Sequence, residues 1–205
     1  MIDLFIKGGP VMWPLLAVSL LALTVILERL VFTLIEWRRS DPEIVSKIFS
    51  EAHHGNLEAA QAAGAGSRDY LARILTYALK HRDSSFSNAL LKAANDELRR
   101  FNRGISVLDT VVTLAPLLGL FGTVTGMIHA FGLLGASELG APTAITGGIA
   151  EALIATAFGL LIAMTSLLPF NFLTTRLEEA RQRIETAAAK LELLLMRAEK
   201  QSNFA

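Results

Sequence analysis

At 205 residues the chain has room for one ordinary domain, yet 52% of its side chains are hydrophobic and its mean hydropathy is +0.46, values that argue for membrane spans. The 19 basic and 19 acidic side chains cancel, so net charge does not point to nucleic acid and the distribution of charge carries the information. The absence of cysteine excludes a disulfide framework, a thiol nucleophile and any Cys-ligated zinc or iron–sulfur centre.

Three apolar stretches reach the ~20 residues needed to cross a hydrocarbon core of ~30 Å. The first runs from Gly8 to Leu27, with apolar residues continuing from Leu30 to Ile35. It is too long for the apolar region of a cleaved secretory signal and ends in Glu28-Arg29 and Arg38-Arg39, so it is expected to be a retained first helix. Only Lys7 precedes it, whereas Arg29, Arg38, Arg39 and Lys47 follow closely, which places the amino terminus outside and the following loop inside.

From Arg38 to Arg103 the sequence is polar with helical periodicity. Ile44, Ile48 and Phe49 form one apolar stripe, and Leu71, Ile74, Leu75, Ala78 and Leu79 another. Asp41-Pro42 has the form of a helix start, and Gly64 and Gly66 should interrupt the helices between the stripes. His53-His54 invites a metal reading, but adjacent imidazoles do not share a helix face, and a solvated loop or helix end accounts for them. Phe86, Leu90, Leu98, Phe101, Ile105 and Leu108 continue a stripe toward the second span, which predicts one long helix, partly embedded. Asp109 would lie at the interface, where a charge is ordinary.

The second span lies between Asp109 and Glu138, a stretch with no Asp, Glu, Lys or Arg. Gly122, Gly126 and Ala130 recur every four residues, the small-xxx-small spacing that lets helix backbones approach. Thr123 is expected on this small-residue face, its hydroxyl pointing at a partner helix or a cavity or satisfying a carbonyl of its own helix. His129 could relay protons, but a hydrogen-bonded neutral imidazole near the outer interface is the simpler expectation. The connection from Gly135 to Thr146 has no Lys or Arg, in agreement with an outside position.

The third span, bounded by Glu138 and Arg176, contains Glu151 as its lone charged side chain. A charge at the centre of a span costs ~2.5 to 3.5 kcal/mol on insertion scales, so such a residue calls for a task, either handling ions or anchoring helix packing. Gly and Ala surround it, as suits a helix inside a bundle. After Arg176, Leu177, Ala180, Ile184, Ala187, Leu191, Leu194 and Ala198 repeat at three and four. A long helix is expected there, packing on its own copies or on the helix ending at Leu108, beside a basic set of Arg176, Arg181, Arg183, Lys190, Arg197 and Lys200 that keeps the tail inside.

The expected fold is thus an all-α membrane protein with three transmembrane helices and long cytoplasmic helical extensions. The amino terminus and first span occupy 1–37, a cytoplasmic helical region 38–108, the second span 109–135, an outer connection 136–146, the third span 147–175 and a cytoplasmic helical tail 176–205.

Ala115-Pro116-Leu117-Leu118-Gly119-Leu120-Phe121-Gly122-Thr123-Val124, followed by Gly148-Ile149-Ala150-Glu151-Ala152-Leu153-Ile154-Ala155-Thr156-Ala157-Phe158-Gly159-Leu160, closely resembles the MotA/TolQ/ExbB proton-channel family, and the ExbB type most of all. Three spans and an outside amino terminus agree with ExbB and TolQ, while MotA-like stators carry four. The resemblance implies a bacterial inner-membrane homopentamer enclosing the transmembrane helices of two copies of an ExbD-like single-span partner with a membrane aspartate, and use of the proton-motive force to energise a TonB-like protein for outer-membrane transport. It implies no cofactor and no metal. Glu151 matches the family's intramembrane glutamate, and Thr123 and Thr156 match its two pore-side threonines, giving an expected ion pathway of Glu151, Thr123 and Thr156. On an ideal helix Glu151 and Thr156 are ~140° apart, so they do not both face one axis squarely. Where family members often have Ala-Ile-Pro-Ala, this chain has Ala163-Met164-Thr165-Ser166, with Pro169 displaced toward the inside end.

Competing readings are a TolQ-like envelope-maintenance subunit, a gliding or stator motor subunit, a passive membrane scaffold, and an intramembrane serine protease using His129 with Ser137 or Ser166. No Gly-x-Ser-x-Gly turn accompanies either serine.

Overall fold

A computed structural model describes residues 2–134 and 141–203. Among these residues every regular element is a helix: α1 (Ile2–Lys7), α2 (Met12–Arg39), α3 (Pro42–His53), α4 (Leu57–Gly64), α5 (Tyr70–Lys80), α6 (Arg82–Asn102), α7 (Ile105–Leu134) and α8 (Ala141–Asn203). Three helical stretches are long and apolar enough to cross a membrane. The chain divides into an apolar unit, Met1–Arg29 with Gly104–Leu173, and a polar unit, Leu30–Arg103 with Thr174–Ala205. Residues 136–140 of the expected connection 136–146, with Ser137 and Glu138, lie outside the described residues.

In the apolar unit, α7 and α8 run antiparallel along a seam of small residues. Ala115, Gly119, Gly122, Gly126 and Ala130 of α7 meet Gly159, Ala155, Ala152 and Gly148 of α8. The contact is backbone to backbone. A Cβ on Gly159 would lie 2.6 Å from the Ala115 carbonyl oxygen and 3.0 Å from the Gly119 Cα, and one on Gly148 would lie 2.8 Å from the Gly126 carbonyl oxygen. From Ala115 to Ala130 the seam is about 22 Å long at 1.5 Å per residue. Close approach of this kind holds helices together in lipid, where apolar burial alone gives no preference for association.

The first part of α2 packs against one flank of this pair. Val11, Met12 and Leu15 are buried and contact Leu118 of α7 and Ile154, Phe158 and Ile162 of α8. At the other end of this part of α2, Gly104 lies against Val25 and Arg29. Gly122, which lies near Val11, and Gly104 are about 27 Å apart along α7 at 1.5 Å per residue, close to a hydrocarbon thickness. The outward residues Leu20, Leu21, Leu23, Leu27, Leu117, Phe121, Leu161, Met164 and Leu168 are all exposed in the single chain. So large an apolar surface is suited to lipid or neighbouring helices. Pro116 and Pro169 both lie inside continuous helices, so the displaced proline does not end α8.

The polar unit is built on caps that the sequence encodes. Asp41 accepts from the Ile44 amide at 3.2 Å with Pro42 in the first turn, Asn56 accepts from Ala59, and Asp69 accepts from Ala72 at 2.9 Å. The second Asp69 oxygen takes the Asp41 amide at 2.9 Å, tying the starts of α3 and α5 together. As expected, α4 ends at Gly64, and Gly66 (φ +79°) lies in the break before α5. His53 and His54 are exposed at the end of α3.

One expectation is corrected. The predicted continuous helix through residues 86–108 is broken, because α6 stops at Asn102 and Gly104 takes φ +82° before α7 begins at Ile105. A left-handed residue cannot continue an α-helix, and the periodicity of the flanking apolar residues does not reveal such a break. The repeat after Arg176 does form a helix, and its stripe is covered within the chain, in line with one of the two partners expected for it. Ala180 and Ile184 pack with Tyr70, Ile74, Ala78 and Leu90, while Ala187 and Leu191 pack with Ile48, Ala52, Leu75 and Leu79. The stripe of the tail helix is therefore used on α6, the helix leading toward Leu108 that was one of its two expected partners, and also on α3 and α5.

Candidate functional site

On α8 the buried seam positions Gly148, Ala152, Ala155 and Gly159 define one face. Turning by 100° per residue, Glu151, Ile154, Phe158 and Ile162 fall on the flank toward α2, and Thr156 falls on the opposite flank. On α7, Leu118 lies on the α2 side and Thr123 on the other. The three expected site residues are thus divided. Thr123 and Thr156 share the flank away from α2, and Glu151 faces the turn that precedes α2. The antiparallel register puts Glu151 and Thr123 at about the same height.

The two threonines are used differently. The Thr156 hydroxyl donates across the seam to the Gly119 carbonyl at 3.0 Å. A carbonyl is free to accept this second bond because it has two lone pairs. The Thr123 hydroxyl donates within its own helix to the Leu120 carbonyl at 2.6 Å. Both side chains are half-buried in the single chain.

Glu151 is also half-buried, and its carboxylate has no hydrogen-bond or ion-pair partner among the described residues. It lies against the Cα of Gly9, which takes φ +73° in the turn between α1 and α2. Gly9 was not singled out by the sequence reading; Gly8-Gly9-Pro10 ahead of an apolar run was its available signal.

His129 is exposed on α7 and has no hydrogen bond among the described residues. Ser166 is only 1% exposed, on the seam face of α8. Since Ala130 packs against Gly148, His129 and Ser166 are about 27 Å apart along the pair at 1.5 Å per residue, which removes them as a catalytic couple. Asp109 is exposed. Among the described residues no group of three or more His, Asp or Glu side chains is placed to hold a metal ion.

In the polar unit, buried Glu97 bridges Arg73 and Arg100, the latter at 2.6 Å. Burial pushes the Tyr70 phenol up from its usual range, partly offset by the Arg183 guanidinium that hydrogen-bonds it. Burial likewise lowers Arg73, helped by the like charge of Arg100.

Residues 65–186 match the family model described as the MotA/TolQ/ExbB proton channel family. An ExbB-like protein of Synechocystis sp., ExbB-like 1, is 36% identical over 203 residues, 95% of this chain and 78% of its own. The chain belongs to the MotA/TolQ/ExbB family. Within that family it is also similar to the biopolymer transport protein ExbB of Neisseria gonorrhoeae, 38% identical over 99 residues (48% of this chain, 45% of that protein). The Tol-Pal system protein TolQ of Haemophilus influenzae is 38% identical over 94 residues (46% of this chain, 41% of that protein). The matched model takes in α7, the seam and the Glu151 face of α8. The chain's three apolar helices and this membership make it a membrane-embedded, ExbB-type proton-channel subunit.

Proposed function

We propose that this subunit belongs to a proton-motive-force-driven motor of the bacterial inner membrane. With an ExbD-like single-span partner, it would energise a TonB-like protein for outer-membrane transport. The observation that carries the reading is Glu151, the single charged side chain between Glu138 and Arg176. Its carboxylate can change protonation where a fixed charge would be costly.

The physical scheme is economical. One elementary charge moved through the membrane potential releases ~2.3 kcal/mol per 100 mV, enough to bias one conformational step if a partner carboxylate exchanges the same proton. Glu151 is the titrating group, and Thr123 and Thr156 form a hydroxyl-bearing flank on the other side of the α7–α8 pair. Because Thr156 also bonds Gly119, its role in this scheme is to fix the register of the two helices while lining the pathway. Five copies around the partner, with the amino terminus outside and the polar unit in the cytoplasm, complete the arrangement implied by the resemblance and by the basic residues after the first and third spans.

Similarity to a TolQ supports a second reading, in which the same motor maintains the envelope. Glu151→Gln tests both against a passive scaffold. A motor subunit should assemble with its partner and stall, with loss of growth on a scarce iron source for the transport reading or loss of envelope integrity for the TolQ-like reading. Normal proton-dependent work by an assembled Glu151→Gln complex would leave only the scaffold.

A further inference from the structure

Glu151 has no polar partner among the described residues, yet its position is closely defined. A Cβ built on Gly9 would overlap Oε1 of Glu151 and approach its Cγ at 3.0 Å. Gly9 therefore meets two demands together: a backbone at φ +73° and a bare Cα beneath a carboxylate. The turn is well braced. Met12 is 2% exposed and its amide donates to the Gly9 carbonyl at 3.2 Å, while the Gly8 and Gly9 amides donate back to Leu4 and Ile6 at 3.1 and 3.4 Å. Phe5 packs on the Val11–Met12–Leu15 cluster and meets the Trp13 ring edge-on at 5.3 Å.

We propose that the Gly8–Gly9 turn is a positioning element for Glu151: the bare Cα of Gly9 seats the carboxylate beside the start of α2, and α1 holds that seat in place. The role in ion handling rests on the reading of Glu151 given above, whereas the seat itself does not. The atoms that oppose a side chain at position 9 are Oε1, Cδ and Cγ of Glu151, and the α8 backbone that carries them is held by close contact with α7. The carboxylate must yield. It then loses both its cover and its height relative to Thr123.

The test uses the full chain with its partner in native membranes or nanodiscs. Gly9→Ala brings backbone strain together with the clash. Gly55→Ala (φ +77°) and Gly66→Ala (φ +79°) bring the strain alone, because no atom lies within 4 Å of either added Cβ. Labelling of Glu151 by a hydrophobic carbodiimide, read by mass spectrometry at fixed pH, reports the carboxylate's exposure whether or not it conducts ions. Gly9→Ala should raise the labelling rate and lower proton-driven work, each by about tenfold, in keeping with the sensitivity of positioned groups to ~1 Å displacements. The two control variants should change neither.

Glu151→Asp draws the carboxylate back by about 1.5 Å, one carbon–carbon bond, and should impair the native turn more than it impairs Gly9→Ala. If Gly9→Ala does not assemble, the double variant decides: recovery of assembly in Gly9→Ala/Glu151→Asp supports the seat, and continued failure overturns it. Labelling unchanged in Gly9→Ala, or strictly additive effects, would also overturn it. An active Glu151→Gln complex combined with altered labelling in Gly9→Ala would sink the motor reading and leave the seat standing. An inactive Glu151→Gln complex with unaltered Gly9→Ala labelling would do the reverse.

Discussion

Adding one methyl group at Gly159 should force α7 and α8 apart. Its Cβ would sit 2.6 Å from the Ala115 carbonyl oxygen, 3.0 Å from the Gly119 Cα and 3.1 Å from the Gly119 nitrogen. All three are backbone atoms of a helix, so no side chain can swing aside. Restoring ordinary contact requires about 0.7 Å of separation, given the 3.3–3.6 Å typical of carbon–oxygen approach. That movement lengthens the 3.0 Å bond from Thr156 to the Gly119 carbonyl beyond useful range. Overpacking costs roughly 1–3 kcal/mol. A lost interhelical hydrogen bond in a membrane adds about 0.6 kcal/mol. Against these, replacing a helical glycine by alanine returns about 0.5–1 kcal/mol. The net expectation is a destabilisation of about 1–3 kcal/mol. Denaturation in mixed detergent micelles measures it, with Gly147→Ala as the matched control because its added Cβ meets no atom within 4 Å. Equal stability of Gly159→Ala and Gly147→Ala would refute the backbone seam.

Thr156→Val should cost about 0.6 kcal/mol and Thr156→Ser much less in the same micelle titration, since only the serine keeps a hydroxyl for Gly119. Asp69→Ala removes the cap of α5 and the acceptor of the Asp41 amide together; a loss of about 2–4 kcal/mol is expected, read as faster hydrogen exchange of the Ala72 and Asp41 amides. Glu97→Gln should weaken the polar unit by about 1–3 kcal/mol, less than for a fully buried pair because Arg73 and Arg100 are partly exposed, and the unfolding midpoint checks it. Tyr70, whose folded phenol is held above its unfolded value near 10, contributes stability that is present below pH 10. That stability falls as pH rises toward the folded value, because the unfolded chain releases its proton first; Tyr70→Phe should remove this alkaline slope from the unfolding curve.

Much of this architecture is legible in the residues. The spans follow from apolar length, Asp41-Pro42 and Gly64 mark real helix boundaries, and the four-residue spacing of Gly122, Gly126 and Ala130 is the α7 side of the seam. Glu151 stands out by charge alone. What the residues do not reveal is long-range: the 100° step separates Glu151 from Thr156, but only the neighbours decide that one flank meets α2 and that Thr156 reaches Gly119. Gly104 is hidden because apolar periodicity continues on both sides of its left-handed turn. The tail stripe is equally ambiguous, since a three–four repeat fits a neighbouring copy as well as the α5 and α6 faces that cover it. Gly9 escapes notice for the same reason, its partner lying 142 positions away in the chain.

The most direct test reconstitutes the subunit with its partner in vesicles under an imposed proton gradient and compares proton flux for the native chain and Glu151→Gln. A cycling carboxylate requires that flux collapse in the variant while subunit and partner still copurify. Equal flux through both complexes would mean that protons do not pass by way of Glu151.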